Sequence, residues 1–182
     1  MNVMKKVQFQ NTMHQQKDRV FNYSIYFLKN RQDAEDVTQE VFIKLWDHWE
    51  NVDRNKLSSW IMQVTHHCCI DRYRKRKRTI VNHVNYDDGP VQSELRDENP
   101  VHDPDMVMEH SELHQTLFHA LDQLPEQTKS IFLLHYFQNY RLEDISTILD
   151  MNLNTVKVQM HRGKKTMKSI LKKSYPEIAE VM

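Results

Sequence analysis

The sequence predicts an all-α protein, two small helical domains joined by a flexible acidic linker. Three observations lead there. Only two glycines occur in 182 residues, and four segments repeat apolar residues at helical spacing. Periodicity fails from about Ile80 to Ser111, where Asp87-Asp88-Gly89-Pro90, Asn99-Pro100 and Asp103-Pro104 place turn and breaker residues among acids. The formal net charge of zero also conceals a segregated distribution, with two basic segments on either side of that acidic stretch. The boundaries that follow are a domain over residues 1–80, a linker over 81–111 and a domain over 112–182.

The first helix is expected from about Phe9 to Lys29, with Phe21, Ile25 and Leu28 on one side. Asp33 starts the second, whose stripe of Val37, Val41, Phe42, Leu45, Trp46 and Trp49 is wide enough to face a core. Ser58 or Ser59 caps the third, with Leu57, Trp60, Ile61, Val64 and Cys68 as its apolar side, and this helix runs straight into a basic cluster. After the linker, Leu113, Leu117, Ala120, Leu121 and Leu124 restart helical spacing. Pro125 sits where a first turn tolerates proline, and Ile131, Phe132 and Leu134 continue the core.

The densest local signal is LEDISTILDMNLNTVKVQMHRGKK. Ile145, Ile148 and Leu149 form one short apolar face, Asp150-Met151-Asn152 a tight turn, and Val156 and Met160 a second face, with Asn152 as the cap of the second helix. Lys157, His161, Arg162, Lys164 and Lys165 fall on the outer side of that helix. Two short helices joined in this way describe a helix-turn-helix. A plain αα-hairpin explains the apolar spacing equally well, but not a second helix that is basic throughout its exposed positions.

Charge narrows the class further. From Arg72 to Arg78 every residue except Tyr73 is basic, and from Met151 to Pro176 there are seven lysines and arginines and no acid. Between them Asp87, Asp88, Glu94, Asp97, Glu98, Asp103, Asp105, Glu109 and Glu112 stand against Arg96 alone. A single charged run is usually a solvated helix face; two basic patches, each closing a helical segment, point to two contacts with one polyanion. The N-terminus MNVMKKVQFQ lacks the apolar core of a signal peptide and no apolar run approaches a membrane span, so no membrane insertion is expected. Cys68 and Cys69 are adjacent and make a poor bridge with each other, which suits a reduced, cytoplasmic setting.

Three segments then carry a resemblance. DAEDVTQEVFIKLW (Asp33 to Trp46) resembles the region-two helix of extracytoplasmic-function (group IV) sigma factors of RNA polymerase, and LSSWIMQVTHHCCIDRYRKRKR (Leu57 to Arg78) resembles the helix that follows it. Leu124 to Leu171 looks like the region four of the same family. The resemblance implies a protein that is not an enzyme, binds core RNA polymerase and promoter DNA, and directs promoter-specific transcription initiation. An anti-sigma factor is a common partner in the family, though no residue here identifies one.

The resemblance also distributes roles. Asp36, Gln39, Glu40 and Ile43 match positions that dock on the polymerase clamp helices, and Asp36, Glu40 and Asp47 fall near one face of the helix, away from the apolar stripe. Ser58, Trp60 and His67, with the loop Asn51 to Lys56 and the helix start to Ile61, match the pocket that holds a melted base of the minus-ten element. Arg72, Arg74, Lys75 and Arg76 match the positions that track its backbone. His67 stands where asparagine is frequent, and Cys68-Cys69 replace small aliphatic residues. For the minus-thirty-five element the matching positions are Lys157, Val158, His161 and Arg162 at base edges, with Asn154, Thr155, Lys164 and His135 at the backbone. Ser146 and Asp150 replace the usual alanine and glycine of the turn, and aspartate tolerates the left-handed conformation that glycine provides there.

Other classes fit less well. His66-His67-Cys68-Cys69 invites a metal or redox reading, but successive helical residues point about 100° apart and four in a row cannot converge on one ion. His110 and His114 have half-site spacing without an accompanying HExxH motif. Neither a metal nor any other cofactor is expected. A conventional helix-turn-helix regulator explains the second domain, yet not why an acidic docking helix and a basic strand-holding helix precede it.

Overall fold

The computed structural model describes residues 3–84 and 112–174; the side chains of residues 80–84, 112–115 and 174 are not among those described. The expected acidic linker over 81–111 lies outside them, apart from its first residues, 81–84. The chain divides into two compact units, Met1–Val101 and His102–Met182.

In the first unit three helices pack mutually: α1 (Val3–Leu28), α2 (Arg31–Asp47) and α3 (Leu57–Val84). The turn between α1 and α2 has two residues. Lys29 takes a left-handed φ of 55° while its N–H still reaches the Ile25 carbonyl at 2.8 Å. Asn30 then returns to extended backbone and its side chain accepts from the Asp33 N–H at 2.9 Å. The second helix therefore begins at Arg31, capped by Asn30, and not at Asp33, which sits in its first turn against the positive end of the helix dipole.

α1 also begins earlier than its apolar period. The apolar residues before Phe9, namely Val3, Met4 and Val7, are all exposed, and tertiary contacts by other residues hold the segment: Phe9 meets Trp46 and Trp49 edge-on at 4.9 and 5.3 Å, and Lys5 pairs with Glu50 at 2.8 Å. A 3₁₀ turn, Arg54–Lys56, leads into α3, with Asp53 as its cap. That turn displaces Ser58 and Ser59 from the capping role into the first turn of α3. Val20, Tyr23, Val37, Val41, Leu45, Ile61 and Met62 make the fully buried centre. The buried side of α3 is thus Ile61, Met62, Thr65, Cys68 and Cys69, with Leu57, Trp60 and Val64 only half-buried, a rotation from the expected face.

The second unit comprises α4 (Glu112–Asp122), α5 (Glu126–Phe132), a π-helical turn (Leu133–Phe137), α6 (Leu142–Ile148) and α7 (Leu153–Ser174). Pro125 precedes α5 with φ −54°, already close to helical, in the position where its missing N–H costs nothing. α6 ends as expected around Asp150, whose φ is 51°. Met151 N–H bonds the Ser146 carbonyl at 2.8 Å and Asp150 N–H the Thr147 carbonyl at 3.3 Å, the paired bonds of a Schellman motif. Asn152 then accepts from the Asn154 N–H at 2.9 Å and opens α7.

α7 is not short: its 22 residues pack against α4, α5 and α6 through Val156, Met160, Gly163, Met167 and Leu171. At Gly163 a Cβ would stand 2.4 Å from Phe132 Cε2 and 2.7 Å from Thr128 Cγ2, so only glycine admits this approach of α7 to α5. Gln159 adds polar ties, donating to Gln127 Oε1 at 3.2 Å and accepting from Thr128 Oγ1 at 3.3 Å.

Candidate polymerase and nucleic-acid interfaces

On α2, Asp36, Gln39, Glu40 and Ile43 occupy positions i, i+3, i+4 and i+7 and so share one stripe, opposite the buried Val37, Val41 and Leu45. Ile43 is 62% exposed and Gln39 is exposed, which leaves an aliphatic side chain among polar groups on the surface. Glu40 pairs with Lys44 at 2.8 Å, and that bond holds its carboxyl below the usual range while raising Lys44. Asp36 is engaged from α3, because Arg72 Nη1 lies 3.2 Å from both Asp36 Oδ2 and Asp33 Oδ1.

α3 sorts the expected minus-ten residues by direction. Trp60, His67 and Arg74 recur every seven residues and stay within about 20° per step on one side of the helix, a row that runs about 20 Å; Lys75 stands about 100° round from Arg74, on the side toward Arg72. His67, Arg74 and Lys75 are exposed, and Trp60 is half-buried with its ring 5.9 Å from that of His48. Ser58, Arg72 and Arg76 lie off this row. Ser58 accepts from Arg19 Nη1 at 3.0 Å, which turns it toward α1, and Arg72 belongs to the seam with α2. Ile61 is fully buried and cannot line a surface pocket. The loop before α3 is held in place by Arg54, stacked 3.8 Å from the Trp49 ring and donating to the Trp49 carbonyl at 3.0 Å.

Beneath the row, His66 is mostly buried, bonded through Nδ1 to Tyr23 Oη at 3.0 Å; burial first, then the charges of His67 and Arg74, push it down to about 4. Cys68 and Cys69 are both buried. Cys68 packs as expected but is not in a purely apolar setting, since Lys44 Nζ lies 3.4 Å from its sulfur.

On α7 the exposed residues are the expected ones: Asn154, Thr155, Lys157, Val158, His161, Arg162 and Lys164 all face outward, while Val156, Met160 and Gly163 face in. Val158 is 48% exposed among cations, an apolar surface suited to a thymine methyl group. His135 lies outside α7, in the π turn, with Nδ1 2.9 Å from the Tyr140 carbonyl oxygen. The sequence reading missed Tyr136, 46% exposed beside Lys164, and Gly163. No apolar period marks either residue.

Two helical units, the first with an acidic-aliphatic helix beside a basic one and the second with a helix-turn-helix, define a protein built to join a protein partner to DNA. Sigma-70 region 2 matches residues 13–79 and Sigma-70, region 4 matches residues 114–167. The RNA polymerase sigma factor SigV of Bacillus subtilis is 31% identical over 86% of this chain and 87% of its own. The ECF RNA polymerase sigma factor SigW of the same organism is 28% identical over 86% and 84%. SigE of Mycolicibacterium smegmatis, also an ECF RNA polymerase sigma factor, is 29% identical over 92% of this chain, and the match spans 63% of its own length. The fold resembles that of the sigma factor RpoE from Bartonella quintana, solved with the anti-sigma factor NepR, with a TM-score of 0.69 at 17% identity over 91% and 97% of the two chains. The chain belongs to the extracytoplasmic-function sigma factors, non-enzymatic subunits that direct promoter-specific transcription initiation.

Proposed function

We propose that this chain acts as an alternative sigma factor in the cytoplasm, with residues 1–80 docking on core RNA polymerase and opening the minus-ten element, 81–111 as the linker, and 112–182 reading the minus-thirty-five element. The observation that carries the reading is the separation of surfaces by chemistry. An exposed Ile43 flanked by Gln39 and Glu40 suits a protein partner. The rows on α3 and α7 are cationic and suit phosphate.

Asp36, Gln39, Glu40 and Ile43 form the docking stripe. Trp60 offers a ring face to an unstacked base, His67 borders it, and Arg74 and Lys75 follow the strand; Arg72 and Arg76 flank that path, with Arg72 acting chiefly to hold α3 on α2. Ser58 steadies the entry to α3 through Arg19. On α7, Lys157, Val158, His161 and Arg162 meet base edges, and Asn154, Thr155 and Lys164 meet phosphates. An inhibitor of the anti-sigma kind, like the NepR found with the Bartonella quintana protein, is a further partner of this reading. Adding the chain to purified core polymerase tests it: run-off transcripts from a specific promoter are expected. Activity that appears only with a preformed holoenzyme identifies a conventional regulator instead.

A further inference from the structure

We infer that Tyr136 is a phosphate-contacting residue of the upstream-element interface, its hydroxyl donating to the DNA backbone beside His135. This rests on the reading of α7 as the helix that enters the groove.

The π turn Leu133–Phe137 sets His135 and Tyr136 side by side, their rings edge to face at 4.8 Å. His135 Nδ1 is 2.9 Å from the Tyr140 carbonyl oxygen. A carbonyl only accepts, so Nδ1 carries the proton. The Nε2 of the neutral ring then presents a lone pair, which repels a phosphate oxygen; only the imidazolium donates from both nitrogens. One ring nitrogen of His135 is thus spent on the Tyr140 carbonyl, which leaves room for a second donor beside it.

Tyr136 supplies one. Its ring rests on Phe132 at 5.5 Å, and Phe132 is the residue that meets Gly163 of α7 too closely for any side chain there. The base of the tyrosine is thereby fixed to the backbone of the recognition helix. Lys164 Nζ stands 5.9 Å from the ring centroid. Lys164 follows Lys157 by two turns, within about 20° of the same side, so a phosphate approached by Lys164 passes close to the tyrosine. The ring is 46% exposed, and its hydroxyl makes no hydrogen bond among the described residues. A cation beside an unspent neutral donor matches a phosphodiester, which offers charge and several acceptor lone pairs at one place.

The test uses the full chain assembled with core polymerase on promoter duplex. Tyr136→Phe removes the donor and keeps the ring, and should weaken promoter binding about tenfold, equally for every upstream sequence. Because no charge is lost, the slope of log affinity against log salt should stay as in wild type, whereas Lys164→Ala should make it shallower by about one. Single methylphosphonate substitutions along the upstream element provide the second measurement. At one phosphate the gap between wild type and Tyr136→Phe should close, while both lose in addition the ion pair that Lys164 makes with that phosphate's charge. Binding by Tyr136→Phe within twofold of wild type overturns the contact, as does a loss that persists at every methylphosphonate position. A wild-type holoenzyme indifferent to the upstream sequence sinks the reading of α7 itself, and this contact with it.

Discussion

Cys69 is fully buried with its sulfur 3.5 Å from Ser24 Oγ, and burial pushes its thiol up to about 12; burial raises Cys68 as well. The nucleophile is the thiolate, so neither residue is set up to react. Alkylation by iodoacetamide at neutral pH should be negligible in the native chain and complete in denaturant; rapid native labelling of Cys68 would instead indicate a thiol switch. His66 carries a second expectation. Its folded value of about 4 lies below the ordinary 6.5, so between those limits the unfolded chain binds the extra proton and stability rises with pH. On acidification from pH 6.5 to 4 the burial of neutral His66 should cost the first unit up to about 3 kcal/mol. Urea titrations across that range should show a flatter profile for His66→Phe than for wild type. Arg162 is exposed on α7, and Arg162→Ala should cost about 1–3 kcal/mol of promoter affinity and relax preference at one base pair. Equal weakening on all sequences would make it a phosphate contact only. Lys172→Ala, beyond the groove-facing turns, should matter less.

At the scale of elements, what the sequence disclosed was whatever repeats locally. The stripe of α2, the Asp150 turn and the Asn152 cap follow from spacing and turn chemistry alone, and each is present. The start of α1 was hidden because Lys5 and Phe9 are held by α2 and the segment just after it, not by their own neighbours. The buried face of α3 differs from its apolar spacing because Thr65, polar in sequence, is buried while donating to the Ile61 carbonyl of its own helix at 2.7 Å. Arg72 likewise counts as one more cation in a basic run until Asp33 and Asp36 of α2 are seen beside it. Gly163 is the sharpest case, since a lone helical glycine reads as a propensity penalty and proves to be the contact surface of α5. Gly163→Ala should overpack that seam and destabilise the second unit by about 1–3 kcal/mol, read as a lowered thermal midpoint. A neutral effect would mean that Phe132 swings aside freely. On α2, Glu40→Lys inverts charge on the docking stripe without touching the buried one, and should weaken competition for core polymerase while leaving helicity unchanged. Unaltered affinity would remove Glu40 from that surface.

For the whole molecule, charge segregation was the most informative property of the sequence, because zero net charge divided into acidic and basic blocks sets surfaces for different partners. Which cations face a ligand was not legible: the run from Arg72 to Arg78 is continuous in sequence, and helical geometry turns Arg74 about 160° away from Arg72, with Lys75 between them. The central claim is that two units perform separable steps, recognition by α7 and strand opening by α3. The most direct measurement follows both in one holoenzyme, promoter affinity by band shift and opening by permanganate reactivity of minus-ten thymines. Arg74→Ala with Lys75→Ala should abolish permanganate reactivity while most duplex binding is retained, and Arg162→Ala should weaken binding yet permit opening at saturating protein. If both sets of substitutions abolish binding and opening together, or if α7 substitutions alone prevent opening on fully bound DNA, the division of labour between the two units is wrong.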